Sequence, residues 1–289
     1  MKSISSLLKS ASKHEKPLYL VIAESDCEEN GGEISALKAQ FKALWNVMRE
    51  TSENYSSSDR SKSGLSGGDA GKISSFKESL LGGNYILRVT EEALKTAECN
   101  ACMKRIVAAP TAGSCGVLPS VLIPLAQEKN ISDDIITEGL LIAAGFGEVT
   151  ADRASISGAE GGCQAEIGTA SAMAAAALVH IMGGSDEMCA EAFAIALSNL
   201  LGLVCDPVAG LVEIPCIKRN VIGAMNAVSS ANMALAGIKN IIPADEVIDA
   251  MEEIGSSITE ALRETGNGGL AATPTAKKLT QSLRTNNFE

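Results

Sequence analysis

The segment GGCQAEIGTASAMAAAALVHIM, residues 161–182, decides how this chain folds. Its alanines are the strongest helix formers, and small side chains on every face suit a helix packed on all sides rather than one with a wet edge. The run Ala170–Met182 is too short and too weakly apolar to cross a bilayer, and Glu166 stands just ahead of it, so it reads as a buried helix.

Cys163 opens this segment. Working outward, Cys205 lies in VCDPVAG and Cys216 in IPCIKRN, each beside glycine or proline, where the backbone turns sharply and approaches a bound object closely. The three are too far apart for one local loop to gather, so only a folded core brings them together. Three such thiols with no fourth of the same kind fit an iron–sulfur cluster with one iron free of protein ligand; the competing reading is three scattered core cysteines. An open iron is a Lewis acid able to polarise a hydroxyl as a leaving group.

The composition supports a helical frame. Of 289 residues, 46% are hydrophobic but only 3% aromatic, so the core is built from Ala, Leu, Ile, Val and Met. The predicted class is mainly α: a multi-helix domain packed through Ala- and Gly-rich helices around a metal-cluster site. A net charge of −11 argues against nucleic acid and against an anionic membrane surface. The N-terminus has no apolar stretch of signal-peptide length, and eight cysteines are too few for a disulfide scaffold, which points to a reducing, cytoplasmic setting.

Along the chain, Leu18–Ala23 is ambiguous between strand and helix. The spacing Ile34, Leu37, Phe41, Leu44, Trp45, Met48 predicts a helix with one apolar stripe. Glu91–Met103 continues as helix until APTAGSCGVL breaks it. The next helix is expected to start at the N-cap Ser132, with a body Ile135–Ala144 ended by Gly145-Phe146-Gly147. Four more helices are expected over residues 164–182, 186–201, 221–240 and 245–263. The domain division is a helical segment over 1–60 and a catalytic unit over 61–289.

Between these helices, TSENYSSSDRSKSGLSGGDAGKISS (51–75) reads as a flexible linker or as an anion-binding loop, since consecutive glycines and serines let N–H groups and hydroxyls converge on a carboxylate. Cys189 shares the apolar stripe of its helix and reads as a core thiol. Cys99 and Cys102 form a C-x-x-C with no second half, Cys27 sits in an acidic loop without a partner, and His14 and His180 are poor ligand candidates.

The motifs SGLSGGDAGK (63–72), AAPTAGSCG (108–116), ASISGAEGGCQAEIGTASAMAAAA (154–177), LGLVCDPVAGLVEIPCIKRN (201–220) and ALRETGNGGLAATPT (261–275) resemble the α chain of iron–sulfur-dependent L-serine dehydratases. The resemblance implies a [4Fe-4S] cluster held by Cys163, Cys205 and Cys216, and oxygen-sensitive deamination of L-serine to pyruvate and ammonia without pyridoxal phosphate. In that family the α part is accompanied by a β part, fused or separate; here a separate β subunit is expected, with the oligomeric state left open. For the site, Ser63, Gly64, Ser66, Gly67 and Gly68 would grip the substrate carboxylate, Asp69 its ammonium, and Lys72 is the candidate base. Two departures stand out: position 115 is Cys where relatives often have Ala, and the tail SLRTNNFE has no cysteine to close the fourth iron. The alternatives are a pyridoxal-phosphate lyase with Lys72 as Schiff base, and a non-catalytic helical binding protein whose cysteines are structural.

Overall fold

Helix α9 (Thr169–Ile181) is wrapped by the rest of the chain, and Ala170, Ala172, Ala174, Ala175, Ala176 and Ala177 are all fully buried. The computed structural model describes residues 3–76, 81 and 83–286. Among these the elements are α1 (Ile4–His14), α2 (Leu18–Asn30), α3 (Ile34–Glu53), α4 (Asp69–Ser75), α5 (Gly83–Ala101), α6 (Val117–Lys129), α7 (Asp133–Arg153), α8 (Gly158–Gly161), α9, α10 (Asp186–Ser198), α11 (Cys216–Leu235), α12 (Ala244–Ser257) and α13 (Pro274–Asn286). No strand is present among them; the one β-type contact is an isolated bridge between Cys205 and Arg263. The mainly α class therefore holds.

Alanine surfaces explain the arrangement, because they let α7, α10 and α11 lie directly against α9. Phe146 of α7 and Phe193 of α10 meet edge-on with ring centroids 5.5 Å apart, filling the space the small residues leave. Ser132 caps α7 by accepting from the Ile135 N–H, with Asp133 and Asp134 in the first turn at the positive helix end.

Several expectations are corrected. Leu18–Ala23 is helical, the start of α2, and its Leu18, Val21 and Ile22 enter the core. Helix α6 was not expected ahead of Ser132. Its VLPSVLIPLAQEK sequence carries two prolines, but Pro119 lies in the first turn, where no N–H is needed, and burial of Val121, Leu122, Ile123 and Leu125 holds the helix through Pro124.

Helix α7 does not stop at Gly145-Phe146-Gly147. A Cβ on Gly145 would lie 2.6 Å from Ile22 Cγ2, and one on Gly147 would lie 2.9 Å from Met173 Cε. These glycines permit close helix packing instead of ending the helix. The segment 221–240 is likewise shifted: α11 begins at Cys216, ends at Leu235 and keeps one face exposed, including Ile222.

Candidate functional site

The three cysteines sit at breaks in regular structure. Cys163 precedes a π-helical turn, Gln164–Gly168, a local widening that often marks functional sites. The turn is pinned by Gln164, whose side-chain amide donates to Met251 O at 2.9 Å and accepts from Gly202 N at 2.7 Å. Cys205 is held on both sides by the chain around Arg263: its N–H donates to Leu262 O and its carbonyl accepts from Glu264 N. Cys216 is the first residue of α11, at the positive end of a 20-residue helix.

These breaks converge. Cys163 and Cys205 are buried and Cys216 partly buried, and Cys163 acts electrostatically on both of the others. Burial first, and then neighbouring acidic groups, push Cys163 up to about 11 and Cys216 up to about 12; Cys205 is raised further by burial and by Cys163. Against this, the positive charge of the Arg219 guanidinium, one turn into α11, favours the Cys163 thiolate.

Side chains absent from the expected site complete it. Asp206 accepts from Arg219 Nη2 at 2.8 Å and from Leu270 N at 2.7 Å, so the TGNGG turn is tied to the cysteine segment. A Cβ on Gly269 would lie only 2.3 Å from Asp206 Oδ2, so the last glycine of that turn is required. Asn220 accepts from Gly116 N and donates to Gly113 O and Cys216 O, joining AAPTAGSCG to the start of α11.

Glu166 faces the same space. It accepts from Thr111 Oγ1 at 2.8 Å, burial raises its pKa, and it acts on all three thiols. A Cβ on Gly158 would lie 2.7 Å from Glu166 Oε2 and 3.0 Å from Cys205 Sγ, so glycine leaves the room between them. None of these supporting residues carries a spacing signal; only their glycine partners do.

The glycine–serine loop is a folded structure, not a linker, and it binds two of the protein's own carboxylates. Glu213 Oε2 accepts from Ser61 Oγ at 2.7 Å and Ser66 Oγ at 2.6 Å, while Ser63 Oγ donates to Oε1 at 2.8 Å. Glu98 accepts from Gly68 N at 3.2 Å, Asp69 N at 2.7 Å and Tyr55 OH at 2.7 Å. Gly64, Gly67 and Gly68 all have positive φ, and a Cβ on Gly67 would meet Asp59 O at 2.2 Å. Lys72 is 79% exposed and pairs with Asp69 at 2.6 Å.

The sequence profile of the serine dehydratase alpha chain family matches residues 9–271. The chain belongs to this family. It is 55% identical over 225 residues to the probable L-serine dehydratase alpha chain of Bacillus subtilis (strain 168), covering 77% of this chain and 75% of that protein. It is 42% identical over 265 residues to the L-serine dehydratase alpha chain of Peptoniphilus asaccharolyticus, covering 91% of each. L-serine dehydratase TdcG of Escherichia coli (strain K12) is 44% identical over 190 residues, 65% of this chain and 42% of that longer protein. The other motif cysteine of this family member, Cys115, is buried with its Sγ 3.9 Å from Thr96 O, and Cys189 is a core thiol.

Among the described residues no group of three or more His, Cys, Asp or Glu converges closely enough for a single metal ion. An iron–sulfur cluster puts its own irons and sulfides between the thiolates, so its ligands stand farther apart than those of one ion. A donor set of three thiols, a nearby guanidinium and a glycine-lined gap fits such a cluster. No described helix is long and apolar enough to cross a membrane.

Proposed function

We propose that this chain is the α subunit of an L-serine dehydratase that converts L-serine to pyruvate and ammonia with a [4Fe-4S] cluster held by Cys163, Cys205 and Cys216. The observation that carries this reading is the meeting of those three thiols around Glu166 in a member of the serine dehydratase alpha chain family. When bound, the cluster supplies a Lewis-acidic iron without a protein thiolate, which turns the substrate hydroxyl into a tolerable leaving group.

The chain's own residues do the rest. Arg219 stabilises the Cys163 thiolate and is itself fixed by Asp206. Thr111 orients Glu166 toward the thiols. The loop 63–69, with Ser63, Gly64, Ser66, Gly67, Gly68 and Asp69, forms a wall of the substrate site. Lys72 removes the α proton once a covering surface desolvates it and releases it from Asp69. We assign that covering surface to the β subunit, in a cytoplasmic, oxygen-sensitive enzyme.

The test is anaerobic production of the chain with and without a β partner, assayed for iron, sulfide and pyruvate from L-serine. The complex is expected to turn over serine and the lone chain to be nearly inactive. Full turnover by the lone chain overturns the two-subunit reading, and turnover without iron overturns the cluster. A discrete absorption band lost on borohydride treatment would indicate pyridoxal phosphate instead.

A further inference from the structure

Glu166 carries a charge for which the fold supplies no counter-ion. Its Oε1 accepts from Thr111 Oγ1 at 2.8 Å, while Oε2 has no protein donor among the described residues. The charged group that acts on it is Glu264, a second carboxylate, which raises its pKa in the same direction as burial. Arg219, which acts on Cys163 and Cys216, is taken up by Asp206 Oδ1 and Val204 O, each at 2.8 Å. Asp69, expected to meet the substrate ammonium, is by contrast already paired with Lys72.

Two glycines keep side chains away from this carboxylate. A Cβ on Gly113 would stand 3.3 Å from Oε1 and 3.4 Å from Oε2, and one on Gly158 would stand between Oε2 and Cys205 Sγ, 2.7 and 3.0 Å from them. A carboxylate withdrawn from water without a partner is costly, and three thiolates beside it would add to the negative charge. Of the polar groups of L-serine, the carboxylate is repelled from such a place and the hydroxyl brings no charge. The ammonium supplies both the missing charge and N–H donors.

We infer that Glu166 Oε2 binds the substrate ammonium, which makes Glu166 the residue that selects an amino acid over a hydroxy acid lacking the amine. The inference rests on the serine dehydratase reading and places the ammonium beside the thiols rather than at Asp69.

Two half-substrates isolate the contact: ethanolamine has the ammonium and hydroxyl without the carboxylate, and 3-hydroxypropanoate has the carboxylate and hydroxyl without the ammonium. Their affinities for the holoenzyme complex are read by titration calorimetry in wild type, Glu166→Gln and Asp69→Asn. Glutamine keeps the shape of Glu166 and an acceptor for Thr111 but no charge. Glu166→Gln is expected to weaken ethanolamine about tenfold, the size of one hydrogen bond to a charged group, and 3-hydroxypropanoate less than about twofold. Equal weakening of both ligands, unchanged ethanolamine affinity, absence of ethanolamine binding to wild type, or a loss seen in Asp69→Asn and not in Glu166→Gln overturns the inference.

A second measurement needs no cluster and decides the case where the variant does not assemble. A carboxylate kept for a ligand rather than for the fold is a burden on the metal-free chain, so Glu166→Gln should unfold in urea at a midpoint equal to or above that of wild type. A lower midpoint assigns Glu166 to the fold and overturns the inference. Absence of serine turnover by the wild-type complex would instead refute the dehydratase reading.

Discussion

Arg219 holds Asp206 at 2.8 Å and acts electrostatically on Cys163, so one guanidinium couples the first thiol of the site to the residue that follows the second. Both partners of the ion pair are nearly buried, with side chains 11% and 4% exposed. Such a pair is a poor guide to net stability, yet removal of one member leaves the other charge stranded.

Arg219→Ala is therefore expected to destabilise the metal-free chain by about 3–5 kcal/mol. Arg219→Lys, which keeps the charge but loses the fork that reaches Val204 O and Asp206 together, falls between that and wild type. Urea unfolding measures both, and an unchanged midpoint in Arg219→Ala contradicts the assignment.

Gly145→Ala tests the close approach of α7 to α2. The new methyl would stand 2.6 Å from Ile22 Cγ2, so overpacking should cost about 1–3 kcal/mol even though alanine is the better helix former. Ile22→Ala in the same chain should restore part of the loss. A more stable Gly145→Ala would mean that the two helices separate at little cost.

The buried thiols make the fold sensitive to alkali. Burial pushes Cys115 up to about 12 and Cys99 up to about 11 from an ordinary value of 9.0. The unfolded chain releases these protons first. Stability is thus fully present below about pH 9 and is lost as pH rises toward the folded values, by about 1.4 kcal/mol per pH unit for each thiol. Under reducing conditions, Cys115→Ala should show a shallower loss between pH 9 and 11 than wild type; parallel curves would refute it.

How much was legible depends on whether a residue's partner is local. The Ala-rich run at 170–177 and the capped start at Ser132 carry their structure in their own spacing, and both are seen as expected. The glycines of α7 mislead because the atoms they make room for, on Ile22 and Met173, are distant in sequence. Helix α6 was hidden by Pro119 and Pro124, whose cost is offset by burial that no local pattern reports.

The same division runs through the site. Glycine and proline beside each one singled out Cys163, Cys205 and Cys216 in the sequence, and the fold brings these three near enough to act on one another electrostatically. Glu213, Glu98, Asn220 and Asp206 were not singled out, because each acts through bonds to segments tens of residues away. For the 51–75 segment the spacing left a flexible linker and an anion-binding loop equally open; that its serines and N–H groups hold Glu213 and Glu98 is decided by tertiary structure.

The most direct test of the central claim is iron and sulfide content after anaerobic reconstitution of four single variants, Cys163→Ser, Cys205→Ser, Cys216→Ser and Cys27→Ser, alongside wild type. The first three should fail to hold the cluster, while Cys27→Ser, whose residue lies at the far end of α2, should match wild type. A cluster retained at wild-type level in Cys163→Ser would contradict the account.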